Sequence, residues 1–265
     1  MIIVCRYVQS DQDQGAPAEM FPIQNTVPTR YPPFVTWALI AANCAIFFIQ
    51  ISLSEPQLER LLSRLALIPA RYFAPSSYDN ASLALADYLP FVSNMFLHGG
   101  WLHLILNMWT LWLFGPAVED RLGPGRYLCF YVASGVFASV THAVFNPTSV
   151  IPALGASGAI AGVLGCFVRL FPHARLVVFI PILFFPLFFE VPAAVFAGLW
   201  FLTQILHGTA ELFMPSAGGG IAWWAHSGGF VAGFVLTPLL QQSKRRHRTY
   251  YADEGVLGFD PSGRP

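Results

Sequence analysis

Charge is scarce in this chain. Only 11% of its 265 residues are charged, 14 Lys and Arg against 14 Asp and Glu, where a soluble globular domain carries about 25%. With 55% hydrophobic residues, that scarcity excludes an ordinary soluble enzyme. The formal charge of zero, with no large basic block on the body, excludes nucleic acid as a partner. Cysteine is scarce too. Cys5, Cys44, Cys129 and Cys166 stand far apart, the last three inside apolar segments, without disulfide or metal-ligand spacing, and read as small buried hydrophobes. No HExxH zinc motif occurs, and the only GFD, at residues 258–260, lies in a polar tail. No metal or cofactor is expected.

Long apolar runs are what the chain has instead. Six segments, roughly 34–53, 91–115, 127–146, 152–171, 191–212 and 221–240, are long enough to cross about 30 Å of hydrocarbon as helices. They predict an all-α, polytopic membrane protein with a bundle of six transmembrane helices. The apolar stretch 176–189 contains Pro181 and Pro186 and reads as a re-entrant or interfacial piece, with a seven-span count as the alternative. Between the first two spans, Leu58, Leu61, Leu62 and Leu65 recur at helical spacing beside Arg60 and Arg64, the pattern of a helix lying in the membrane interface. Residues 1–33 form a polar N-terminal segment, 34–240 the six-span domain, and 241–265 a basic, polar tail containing Lys244–Arg248. With both termini cytoplasmic, only Arg60, Arg64 and Arg71 of the 14 basic residues lie outside, as the positive-inside rule requires. The expectation is a multi-pass protein of a bacterial plasma membrane. Its second, fourth and sixth spans then run from outside to inside.

Polar residues inside spans are costly and are functional hypotheses by default. His98, His103 and Asn107 occur in HGGWLHLILN of the second span, Ser157 in GASGAIAG of the fourth, and His226 in AHSGGFVAG of the sixth. All stand toward the outer ends of inward-running helices. A hydroxyl and an imidazole at one depth match nucleophilic acyl transfer, and with no carboxylate at that level the pair is a Ser-His dyad. Gly158, Gly162 and Gly165 share a face of the fourth span, as do His226, Gly229 and Gly233 of the sixth. Such small residues bring two helices close enough for short side chains to meet. His103 and Asn107, at i and i+4, present N–H donors from one helix face. Individually each residue has a plainer reading: a serine in a span commonly bonds the i−4 carbonyl, a membrane histidine is often structural, and Glu119 and Asp120 beside Arg121 read as a structural charge cluster. His142, His173, His207 and His247 receive no role.

Taken together, GASGAIAG, AHSGGFVAG, HGGWLHLILN and AVEDRLG resemble the rhomboid family of intramembrane serine proteases over roughly residues 34–240. The resemblance implies Ser157 as nucleophile, His226 as general base, His103 and Asn107 as oxyanion donors, His98 as a support, and Glu119 as a structural contact. It implies single-span membrane proteins as substrates, cut near the outer face of the lipid bilayer after passing a mobile fifth span that begins near Pro192. It also implies a start at Met20, since MFPIQNTVPTRYPPF resembles the usual family beginning, which makes residues 1–19 dispensable. Two positions depart from the family pattern. Ala161 stands where many members place a Tyr against the catalytic His, and Ala70, Arg71 and Tyr72 replace a Trp-Arg pair in the first long loop. A client-binding relative without catalysis is the alternative; loss of Ser157 or His226 would favour it, and both are present. A transporter would show charges along span interiors or inverted repeats, and neither is visible.

Overall fold

A computed structural model describes residues 21–73, 84–182, 185–213 and 222–241. The expected start at Met20, the basic run Lys244–Arg248 and the Gly258–Asp260 tripeptide lie outside the described residues. The long helices are α1 (Phe34–Ser52), α5 (Trp101–Leu122), α6 (Pro124–Phe145), α7 (Ser157–Leu170), α8 (Ala193–Phe213) and α9 (Trp223–Leu240). The first loop carries α2 (Glu55–Leu65) and the single turns α3 (Ala70–Phe73) and α4 (Pro90–Ser93). Four of these helices, α1, α5, α6 and α8, are long and apolar enough to cross a membrane. The other two are α7, apolar but only 14 residues long, and α9, whose 18 residues include Trp223, Trp224, His226 and Ser227. Phe48, Trp112, Phe137, Leu202, Val235 and Leu239 are all at least half exposed, an outer surface too apolar for water but suited to lipid.

Two of the expected spans begin late. The second was placed at 91–115, yet residues 94–96 form a 3₁₀ turn, Gly99 and Gly100 interrupt, and α5 starts at Trp101 and continues to Leu122. His98 therefore lies in the loop ahead of the helix. The fourth was placed at 152–171, but Pro152 and Gly155, the latter at φ 130°, keep residues 152–156 out of a helix. A 14-residue helix is about 21 Å long, shorter than the hydrocarbon core. Were Leu170 set at one face of a bilayer, a helix of this length would leave Ser157 inside its thickness. The α5–α6 corner is the single residue Gly123, at φ 80°, followed by Pro124 at the first position of α6.

The α2 helix forms where the leucine spacing predicts it. Leu58, Leu61, Leu62 and Leu65 are half-buried, Arg60 and Arg64 exposed, and the Gln57 Oε1 accepts the Ser54 N–H at 3.0 Å, a capping-box contact. Where the re-entrant or interfacial piece is expected, the described part of residues 176–189 forms no helix of a seventh span but the antiparallel hairpin β2 (Arg175–Ile182) and β3 (Phe185–Pro192), joined on the free side of β2 by β1 (Phe21–Asn25) in a sheet of order β1-β2-β3. Pro181 pairs with Pro186 near the hairpin tip, beyond Phe179 where β1 ends its pairing, so it withholds no N–H from a third strand. β1 is tied to α5 by Trp109 Nε1 donating to the Pro22 carbonyl at 2.9 Å and Asn25 Nδ2 donating to the Leu113 carbonyl at 2.6 Å.

The core lies between α5, α6, α7 and α9, with Tyr127, Tyr131, Phe114, Phe130 and Phe167 fully buried. The α7–α9 contact is backbone on backbone. A Cβ at Gly229 would run into the Gly158 carbonyl, at Gly233 into the Gly162 carbonyl, and at Gly165 into the Phe230 carbonyl. That approach sets the geometry of the site.

Candidate active site

Ser157 is the first residue of α7 and His226 the fourth of α9. With both backbones in contact along the glycine seam, the His226 Nε2 lies 2.8 Å from the Ser157 Oγ across 69 residues of sequence. That is hydrogen-bond distance for a nucleophile and its base. At a helix start the first backbone N–H groups have no intrahelical carbonyl to bond, and around Ser157 they point toward the same end as the hydroxyl. The turn that delivers the serine is held in place by Gly155 N donating to the Asn94 carbonyl at 2.9 Å.

His103 approaches this turn from α5. A Cβ at Gly155 would stand 2.7 Å from the His103 Nε2, so only glycine admits the imidazole there. Asn107, one turn further along α5, is buried, and its Nδ2 has no hydrogen-bond partner among the described residues. A buried unpaired donor is costly and rare. His98 is buried with its ring edge-on to His103, centroids 5.1 Å apart. Its backbone is clamped by the Gln50 amide of α1, which accepts the His98 N–H at 3.0 Å and donates to the His98 carbonyl at 3.2 Å. Ser157, His226, His103 and His98 thus converge on one end of the bundle, with Asn107 one turn along α5 from His103. His142, to which the sequence assigned nothing, lines a recess beside Ser157 with Asn94, Ser139 and Leu154.

Two further groups reach His226 from α8. The Gln204 Oε1 lies 2.8 Å from the His226 Nδ1, and the Trp200 ring faces the imidazole at a centroid distance of 5.8 Å. They lie against the imidazole, whereas Ala161, buried on α7, offers it no ring. The only signal in the sequence was Gln204 itself, an amide inside an apolar run. Glu119, away from the site, caps α1: its carboxylate accepts Val35 N at 2.9 Å, Thr36 N at 2.8 Å and Thr36 Oγ1 at 2.7 Å. It is a structural contact, as the family resemblance implied.

The family model for the Rhomboid domain matches residues 86–243, which include every one of these site residues except Gln50. The chain belongs to the rhomboid family. Among similar proteins, Rhomboid protein 1, mitochondrial, of Saccharomyces cerevisiae is 27% identical over 224 residues, covering 82% of this chain and 56% of that protein. Rhomboid protease GluP of Bacillus subtilis is 32% identical over 155 residues, 58% of this chain and 27% of that protein. The mouse presenilin-associated rhomboid-like protein, mitochondrial, is 30% identical over 150 residues, 56% of this chain and 36% of that protein. This rhomboid chain therefore spans about half, or less, of the length of these relatives. They are divided between a bacterium and mitochondria, so a bacterial plasma membrane in particular is not supported.

Proposed function

We propose that this rhomboid is an intramembrane serine endopeptidase that hydrolyses peptide bonds in or near transmembrane segments of single-span membrane proteins. The observation that carries this reading is the 2.8 Å contact between Ser157 Oγ and His226 Nε2, made between two helix ends inside a lipid-facing bundle. In the proposed reaction the Ser157 Oγ attacks the scissile carbonyl carbon while its proton passes to the His226 Nε2. The carbonyl oxygen becomes an oxyanion held by N–H groups at the start of α7, by Asn107 Nδ2 and by His103. Collapse breaks the C–N bond, and the imidazolium returns its proton to the departing amine. Water then attacks the acyl-enzyme, giving a proton to His226, and the acid product leaves as the Ser157 hydroxyl reforms. The recess lined by Asn94, Ser139 and His142 offers polar groups for that water at a depth where lipid supplies none.

The substrate helix is proposed to pass α8, whose Val195, Leu199, Leu202 and Leu206 are exposed along its outer face. The orientation read from the basic residues, both termini on the cytoplasmic side, belongs to the same proposal. The test is purified full-length chain in liposomes with a transmembrane reporter, beside a Ser157→Ala control. Cleavage by the native chain alone supports the reading. Binding of the reporter without cleavage overturns it in favour of a client-binding role.

A further inference from the structure

We infer that Gln204 is a positioning residue for the base, the group that selects the one tautomer of His226 able to accept the Ser157 proton. The inference rests on the proposed Ser157–His226 chemistry and adds a third member to it. A neutral imidazole carries its proton on Nδ1 or on Nε2, and whichever nitrogen faces the serine must be the bare one. A hydrogen bond on the far nitrogen decides between them.

The surrounding bonds leave the Gln204 amide one orientation. Its Nε2 lies 3.3 Å from the Trp200 carbonyl and 3.2 Å from the Thr203 Oγ1. A backbone carbonyl only accepts. The Thr203 hydroxyl has already spent its proton on that same Trp200 carbonyl, at 2.6 Å, so it too presents a lone pair. Turning the amide over would set its oxygen against two acceptors, which is repulsive. The nitrogen is therefore on that side, and the Oε1, 2.8 Å from the His226 Nδ1, faces the ring. An oxygen there requires Nδ1 to carry the proton, which leaves the Nε2 lone pair aimed at Ser157 Oγ. Gln204 is buried, so water does not substitute for it freely. Its place in the site is that of the carboxylate in a Ser-His-Asp triad, orienting the imidazole but supplying no charge to stabilise the imidazolium.

The experiment uses the full chain in liposomes with the transmembrane reporter, comparing native, Gln204→Met and Gln204→Glu chains for kcat, KM and the pH dependence of kcat. Methionine keeps the length and removes the acceptor. Its kcat is expected to fall roughly tenfold to a hundredfold with KM changed less than about twofold, the range lost when groups behind a reacting residue are removed. Glutamate restores an acceptor and adds charge. It is expected to recover most of the rate while moving the acid limb of the profile to higher pH, because a carboxylate favours the protonated imidazole and the base must be neutral to act. A Gln204→Met chain with native kcat overturns the inference. Equal losses in both variants with an unmoved pH limb also overturn it, since packing alone would do that. A native chain that neither cleaves nor labels at Ser157 with a fluorophosphonate removes the proposed dyad and this role with it, and that result needs no Gln204 variant.

Discussion

Ser157 and His226 stand on helices that share no sequence neighbourhood, so the 2.8 Å between them reports the whole α7–α9 seam. Replacing either with Ala removes the nucleophile or its activation, and reporter cleavage is expected to fall to background. Asn107→Ala takes away one of the donors proposed for the developing oxyanion. Removal of such a donor typically lowers kcat by about 10²–10³, or roughly 2.7–4 kcal/mol, so this variant is expected to be slow but measurable. Fluorophosphonate labelling checks the assignment: a Ser157→Ala chain that still cuts at the native rate, or a probe found on another serine, refutes it. Ser157, His226, His103 and Asn107 were legible because each falls in a short motif whose helical spacing fixes a face. Gln50 and Gln204 were not, since an isolated amide in an apolar run has no motif. The rule that polar groups in spans are functional hypotheses applies to them as well, once amides are weighed like imidazoles.

Helix packing makes opposite predictions for two glycines that look alike in sequence. A Cβ at Gly233 meets the Gly162 backbone of α7, which no rotamer change can clear, whereas one at Gly198 of α8 meets nothing within 4 Å. Gly233→Ala is expected to destabilise by at least the 1–3 kcal/mol of an overpacked core and to abolish cleavage by parting Ser157 from His226. Gly198→Ala is expected to be neutral or stabilising by up to about 1 kcal/mol. Denaturant unfolding in micelles decides between these signs, and equal stability of the two variants refutes the seam. Glu119→Ala leaves the start of α1 without its cap, at about 1–3 kcal/mol for each buried group left unpaired. The same unfolding experiment reads that loss; native stability refutes the cap. The gate role proposed for α8 is checked by cross-linking it to α5: complete cross-linking with undiminished cleavage eliminates that route for the substrate. The helices themselves were legible from apolar length, but the sheet was not. Short apolar runs with prolines do not distinguish strand from coil. The pairing of Phe21–Asn25 with Leu176–Phe179 joins segments about 150 residues apart, which no local pattern announces.

At the scale of the whole molecule, the alternation of the chain is visible in which loops bond to which. The first long loop is tied to the α6–α7 connection by the Leu67–Ala153 bridge and by Ala70 N donating to the Ser149 carbonyl at 3.0 Å. At the other end of the bundle, Arg126 at the start of α6 donates to the Leu240 carbonyl at the end of α9, 3.2 Å away. These contacts place residues 53–73, 84–100 and 146–156 at one end, and the α5–α6 corner, the α7–β2 turn and the end of α9 at the other. If the two ends face opposite sides of a bilayer, as proposed, each of α5, α6, α7 and α9 crosses it, although α7 and α9 fall short of the length and hydropathy that would mark them alone. In α7 the deficit is the feature that sinks Ser157. The proposed orientation rests on positive charge: Arg121, Arg126, Arg169 and Arg175 gather at the end away from Ser157, and basic residues near span ends tend to stay on the cytoplasmic side. In a chain whose native cysteines have been replaced, Cys introduced at Arg60 in α2 and Cys introduced at His173 in the α7–β2 turn are both expected to be water-accessible, but from opposite sides. A membrane-impermeant maleimide added outside sealed vesicles of known orientation should therefore label one and spare the other until the membrane is permeabilised. Labelling of both positions from one side would mean that an even number of the helices between them crosses, none or two instead of three. The Ser157 end of the bundle would then lose its single face toward water.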